Sequence, residues 1–250
     1  MSPVRVDPAR WGGEMTAYDR ATAATYSQHR VAQTGVLDEL LSLDFPRSGG
    51  RVLEVGCGTA NHLASFCKCV ACLGVGIDPS LPMLREAPVP LGGLVSAAAE
   101  AVPFARNSFD LVYSVDVVHH LLDLDAAYAG MAGLLKPGGL LLTATDSEET
   151  IRARSPLSSY FPDTVAYELA RYPSVARLMS VHQRHGLEVL DSYVVDHPYV
   201  LDDATSFRTR AFSCLRAVSD EALAAGIARL ERDLPLASVS RNFVVLARRP

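Results

Sequence analysis

Five short, almost wholly apolar runs recur between Arg51 and Thr145: RVLEV, CLGVGI, GLVSA, DLVYSV and GLLLTAT, separated by longer helix-compatible stretches. Strands alternating with helical segments build βαβ units, and parallel strands covered on both faces carry continuous rather than alternating apolar side chains. Turn signals fall before the fourth run at Asn107-Ser108 and before the fifth at Lys136-Pro137-Gly138-Gly139. Two later runs, LEVLDSYVV and NFVVLARR, bring the number of strands to seven. The expected fold class is α/β: a doubly wound, seven-stranded, mostly parallel sheet with N-terminal helices and a late insertion that shapes a substrate pocket. Ligands of such sheets lie outside the carboxyl ends of the strands, near the switch in strand order.

The 250 residues suffice for one full α/β domain with decorations. Ahead of the first run, Tyr18 to Leu43 reads as helical: Val36, Leu37, Leu40 and Leu41 keep helical spacing, and Pro46, Gly49 and Gly50 end it. Residues 1–48 are therefore expected to form a helical cap on a domain at 49–250, with pocket-shaping insertions at about 150–182 and 197–240. Ser155-Pro156, Phe161-Pro162, Tyr172-Pro173 and His197-Pro198 punctuate that later region. Ser219 is placed to cap a helix with Leu223, Ile227, Leu230 and Leu234 on one face.

Composition narrows the partners. Hydrophobic residues make up 49% and charged residues 20%, a balance that supports a sizeable core rather than disorder. The net charge of −5 divides into −7 over residues 1–150 and +2 over 151–250, so there is no basic patch to drive nucleic-acid binding. A small-molecule substrate is expected instead. No apolar run approaches the roughly 20 residues of a membrane span, and the first residues lack a signal-peptide core, so a cytoplasmic location is expected. Five cysteines, three of them in CKCVAC, do not form a secreted disulfide framework. Cys67, Cys69 and Cys72 lack a nearby fourth ligand, so no metal is expected there, and buried apolar thiols or redox-sensitive ones remain.

The glycine-rich turn after the first run, VLEVGCGTAN, could cradle either a dinucleotide or a cationic ligand. The dinucleotide fingerprint needs a third glycine where Asn61 stands. Glu54, at the end of the strand, would repel a pyrophosphate and attract an ammonium or sulfonium by about 1 to 4 kcal/mol at 4 Å. Asp78, at the end of the second run and followed by Pro79, suits both ribose hydroxyls of an adenosine-type ligand.

VLEVGCGTANHL, GVGIDPSLPML, AEAVPFARNSFDLVYSVDVVHHL and LLKPGGLLLTAT, in that order and spacing, resemble the successive motifs of class I S-adenosylmethionine-dependent methyltransferases. The likeness is greatest to the small-molecule group that includes quinone-biosynthesis enzymes, and it covers about residues 15–147. It implies the Rossmann-like methyltransferase fold and S-adenosyl-L-methionine as cofactor. It also implies that Glu54, Gly56 and Gly58, with Asn61, lie by the methionine part, Asp78 and Pro79 by the ribose, Ala99 and Glu100 by the adenine, and Asp116 near the sulfonium. Tyr26 and Arg30, joined by Tyr18, match family residues that reach the cofactor carboxylate. Ala98 stands where many relatives have an adenine-binding Asp, so backbone, apolar packing or Glu100 must serve there.

Methyl transfer is an in-line displacement for which positioning can supply most of the rate, and a base is needed only for a protonated acceptor. His119, after the fourth run, is the candidate base or acceptor-orienting group, with Asp116 beside it. Tyr160, Tyr172, His182, Tyr199, Arg208 and Arg210 are the candidate acceptor-binding residues, since aromatics with arginines suit a planar or carboxylated molecule. Two other readings stay open: a cyclase or lyase acting on the cofactor without an external acceptor, and a non-catalytic cofactor-binding partner. Nothing in the sequence fixes the oligomeric state.

Overall fold

A computed structural model describes residues 32–87 and 92–250. The helices are α1 (Thr34–Ser42), α2 (Asn61–Cys69), α3 (Leu81–Arg85), α4 (Leu124–Leu134), α5 (Glu148–Ala153), α6 (Leu157–Tyr160), α7 (Asp163–Arg171), α8 (Val175–Arg184), α9 (Thr205–Arg208) and α10 (Asp220–Asp233). The strands are β1 (Arg51–Val55), β2 (Leu73–Asp78), β3 (Gly93–Ser96), β4 (Phe109–Val115), β5 (Leu135–Thr145), β6 (Glu188–Leu201) and β7 (Leu236–Arg248). They form one sheet in the order β3-β2-β1-β4-β5-β7-β6. Strands β1 to β5 pair in parallel, and β7 runs antiparallel to both β5 and β6. The expected α/β class and mostly parallel sheet are what is found.

Apolar strands need cover on both faces. On one side, Leu53, Ile77, Val112 and Leu141 pack against Tyr128 and Met131 of α4 and Leu178 and Val181 of α8. On the other, Val52, Leu111, Leu140 and Val244 pack against Val36 and Leu40 of α1 and Leu63 and Phe66 of α2. The strand order turns between β1 and β4, which opens a crevice at their carboxyl ends.

Two expectations shift. His197-Pro198 does not end β6: the strand continues to Leu201, paired with a β7 that starts at Leu236. As the outermost strand of the sheet, β6 can accommodate a proline that has no N–H to donate. The Lys136–Gly139 turn lies inside β5, opposite a register shift between Phe109 and Leu111. Of the helix expected over Tyr18–Leu43, Thr34–Ser42 is helical, Ala32, Gln33 and Leu43 are not, and residues 18–31 lie outside the described residues.

Pairs from Val195↔Asn242 to Leu201↔Leu236 carry the β6–β7 ribbon beyond Thr145, the last residue of β5. Seven pairs extend it roughly 20 Å past the sheet's carboxyl edge. Leu201 and Leu236 of this ribbon join Leu157, Phe161, Phe207, Leu215, Leu223 and Leu230 in a third core. Ser219 caps α10 as expected, accepting from the Ala222 N–H at 3.2 Å.

Candidate active site

The glycine turn is anchored to the neighbouring strand, for the Cys57 N–H donates to the Ile77 carbonyl at 2.9 Å. Gly56 and Gly58 have φ of 69° and 53°, left-handed values at which a side chain is strained. A Cβ at Gly56 would stand 2.4 Å from a Val117 methyl, and one at Gly58 would stand 3.1 Å from the Met83 methyl. The backbone thus approaches its surroundings where only glycine fits. Ala60 is also left-handed, at φ 55°, and it holds the N-cap of α2 with no side chain able to cap. An alanine in this conformation costs about 1 kcal/mol relative to an ordinary helix start.

Glu54 supplies the missing cap. Its carboxylate accepts the Leu63 N–H, in the first turn of α2, at 3.1 Å, and His62 Nδ1 stands 3.9 Å from its other oxygen. Only 2% of Glu54 is exposed, and burial pushes its pKa up to about 8, against the Leu63 hydrogen bond and with the Asp78 charge adding to the rise. The group lies beneath the loop, turned to the start of α2 rather than to solvent.

Asp78 ends β2 beside the same loop. One carboxylate oxygen accepts the Gly58 N–H at 2.9 Å and the other the Ser80 N–H at 2.8 Å. Burial raises its pKa, and these two hydrogen bonds oppose the rise. Each oxygen keeps a lone pair for a further donor. Asn61 opens α2 and Pro79 follows the acid, so both border the loop. Beyond them, Ala98 and Ala99 are buried, and Ala99 and Glu100 open a short 3-10 turn. Glu100 Oε1 accepts from the Leu122 N–H at 2.9 Å and the Asp123 N–H at 3.4 Å, so this carboxylate organises the approach to α4.

At the end of β4, Asp116 is left-handed at φ 55°. Its carboxylate accepts from the Gln33 side chain at 3.1 Å and from the Asn242 side chain, on β7, at 3.2 Å. Gln33 also donates its backbone N–H to His62 Nε2 at 3.0 Å. Together these bonds join the entry to α1, the loop side of α2, β4 and β7. Gln33, His62 and Asn242 carried no sequence signal, since each acts through partners 29 to 126 residues away.

His119 lies in the 3-10 turn Val118–His120, stacked on Tyr172 with ring centres 4.1 Å apart and planes inclined by 19°. Burial raises the Tyr172 hydroxyl well above its usual pKa, and the charges of Asp146, Asp116 and Glu168 add to the rise. Asp146, just beyond β5, has its pKa pushed up to about 6, first by burial, with Arg154 opposing. Arg154 bridges Asp146 and Glu168 at 2.9 Å each, and Glu168 also meets Arg171 at 3.3 Å. This buried chain ties the end of β5 to α7.

The sequence candidates thus divide. Glu54, Gly56, Gly58, Asn61, Asp78 and Pro79 gather at the loop, and Asp116, His119 and Tyr172 lie at the end of β4. His182 has no exposed surface: its Nδ1 meets the Leu178 carbonyl at 2.8 Å and its ring packs edge-on to Tyr128 in the core. Tyr160 bonds Asp233 at 2.7 Å, Arg208 pairs with Glu231, and Arg210 holds the Val218 carbonyl at 2.9 Å and Asp220 at 2.5 Å, all within the third core's shell. Tyr199 sits on the β6–β7 ribbon, near His197. Proximity in sequence to aromatic neighbours did not separate pocket residues from these structural ones. Tyr18, Tyr26 and Arg30 lie outside the described residues. Among the described residues, no helix is long and apolar enough to cross a membrane.

Residues 53–143 match the family model described as a methyltransferase domain. The malonyl-[acyl-carrier protein] O-methyltransferase of Enterobacter lignolyticus is 32% identical over 137 residues, 54% of each chain. The demethylmenaquinone methyltransferase of Roseiflexus castenholzii is 31% identical over 122 residues, 47% of this chain and 50% of its own. The chain thus spans about half the length of the curated relatives it matches. In structure it is similar to phosphoethanolamine N-methyltransferase 2 of Haemonchus contortus, solved in complex with S-adenosyl-L-methionine, with a TM-score of 0.62 at 19% identity, covering 100% of this chain and 61% of that one. Residues 53–143, carried on the sheet just described, are thus similar to the methyltransferase-domain family.

Proposed function

We propose that the protein binds S-adenosyl-L-methionine at the β1–α2 loop and transfers its methyl group to an O, N or C atom of a small molecule held near Asp116 and His119. The carrying observation is the conjunction at one strand edge of a glycine turn that excludes side chains and an acid, Asp78, hydrogen-bonded to that turn at 2.9 Å. That arrangement suits an adenosine whose ribose hydroxyls take the remaining lone pairs of Asp78 while the amino-acid end lies along the turn. When bound, the cofactor supplies a methyl carbon already activated by its sulfonium.

The chain's own residues then do the positioning. Glu54 holds the start of α2 against the loop, and a cationic ligand bound there would draw off its proton to leave a carboxylate. Ala98 and Ala99 offer an apolar wall for the base. Asp116, fixed by Gln33 and Asn242, orients the region between cofactor and acceptor. His119, held flat by Tyr172, accepts a proton from a hydroxyl or ammonium acceptor or aligns it for in-line attack.

Incubation with cofactor and a panel of small hydroxylated, aminated and quinol acceptors tests this reading. S-adenosylhomocysteine formed only with an acceptor supports it. Methylthioadenosine released without one would replace it with a cyclase or lyase.

A further inference from the structure

The α2–β2 connection holds a second chemically equipped place, away from the glycine turn. Cys67 lies in the last turn of α2 and Cys72 just before β2, and their sulfurs are 3.8 Å apart. Both side chains are partly exposed, and neither cysteine is bonded in a disulfide. A tight turn brings Cys72 back, with its N–H donating to the Val70 carbonyl at 2.8 Å. Cys67 Sγ lies directly over β2, where a Cβ at Gly74 would stand only 2.4 Å from it. The absent side chain at position 74 leaves room for this sulfur. Cys69, two residues along the helix from Cys67, projects from another face and is exposed. The three-cysteine cluster of the sequence therefore resolves into one facing pair and one outlying thiol.

We infer that Cys67 and Cys72 form a reversible disulfide, a redox-modification site at the α2–β2 connection that is separate from the methyl-transfer site. The oxidant is a hydroperoxide. The Cys72 thiolate attacks the peroxide's terminal oxygen, the O–O bond breaks, and the departing oxygen takes a proton, leaving Cys72 as a sulfenic acid. Cys67, its proton lost to water, then attacks that sulfur. The S–S bond forms as the S–O bond breaks, and hydroxide leaves and is protonated. Two thiols are oxidised and one peroxide is reduced to water, or to water and an alcohol. The order of events follows from the pair itself: the Cys67 S–H hydrogen bond holds the Cys72 pKa below its usual value, while that same pairing and burial keep Cys67 protonated. The pair lies at the far end of α2 from the glycine turn, roughly 10 Å away along the helix axis.

Peptide mapping tests this directly, because Lys68 separates the two cysteines. Trypsin releases residues 52–68, with Cys57 and Cys67, and residues 69–85, with Cys69 and Cys72. After treatment of the folded protein with one equivalent of hydrogen peroxide, these two peptides are expected to stay joined until dithiothreitol is added. Alkylatable thiols should fall from five to three. Fragmentation of the joined peptides should place the bond at Cys67 and Cys72, and Cys69→Ser should leave it intact. A bond at Cys69 or Cys57, or oxidation that leaves the two peptides separate, would overturn the assignment. The wild-type map decides the matter even where a cysteine variant folds poorly.

Discussion

The Glu54 carboxylate and the Leu63 backbone N–H meet at 3.1 Å, joining the end of β1 to the first turn of α2 across the glycine turn. Because Ala60 cannot cap that helix, the bond stands in for an N-cap side chain. Glu54→Ala is expected to destabilise the protein by about 1–3 kcal/mol, since it leaves a buried N–H without its acceptor. Denaturant titration checks this, and Glu54→Gln, which retains an acceptor oxygen, should recover much of the loss.

The same residue sets a pH dependence. Folding raises the Glu54 pKa from 4.5 to about 8, so between these values the folded chain keeps a proton that the unfolded chain has released. Stability from this group is therefore greatest below pH 4.5 and falls as pH rises toward 8. Glu54→Gln should flatten that part of the stability profile. A cationic ligand draws the pKa back down, so cofactor binding at pH 7 should release protons. Calorimetry in buffers of differing ionisation enthalpy measures that release, and it should vanish in Glu54→Gln.

Gly56→Ala introduces a Cβ 2.4 Å from a Val117 methyl at a φ of 69°. The backbone conformation alone costs about 1–2 kcal/mol, and the contact adds to it. Cofactor affinity should fall at least tenfold while the circular dichroism spectrum stays that of the folded protein. Unchanged affinity would show that the turn is not close to the ligand.

Arg154 lies between Asp146 and Glu168, at 2.9 Å from each. Arg154→Met leaves two buried carboxylates without their shared cation, a loss of about 3–5 kcal/mol. Thermal denaturation should show the fall, and replacing all three residues with apolar ones should recover part of it.

His119→Ala should lower kcat by about 10²-fold or more if the acceptor must lose a proton, with cofactor affinity unchanged. Tyr172→Phe keeps the stacked ring and should retain most of the activity, whereas Tyr172→Ala should behave more like the His119 variant. Rates across pH with an identified acceptor separate proton removal from alignment, since only proton removal makes the rate depend on a free base, a dependence that His119→Ala should abolish.

The sheet was legible because its strands are covered on both faces, and continuous apolar runs such as DLVYSV and GLLLTAT record that burial locally. Asp78 and the glycines were legible for a similar reason: their conformations and partners lie within one βαβ unit. Glu54 was only half readable. Its place by the loop followed from the motif, but its bond to Leu63 depends on how Ala60 turns the chain. The late segment was least readable. Arg208 and Arg210 have the composition of ligand-binding residues, yet Glu231, Asp220 and the Val218 carbonyl occupy them. Pro198 suggested a strand end because sequence does not reveal that β6 is outermost in the sheet.

The central claim is that the β1–α2 turn and Asp78 seat the adenosyl cofactor. Titration calorimetry with S-adenosylhomocysteine, comparing the wild type with Asp78→Ala, tests it most directly. The account predicts one site per chain in the wild type and at least a tenfold weaker site in the variant, consistent with the loss of charge-assisted hydrogen bonds worth about 1.5–3 kcal/mol. No heat of binding in the wild type at millimolar ligand, or equal affinity in both proteins, would contradict it.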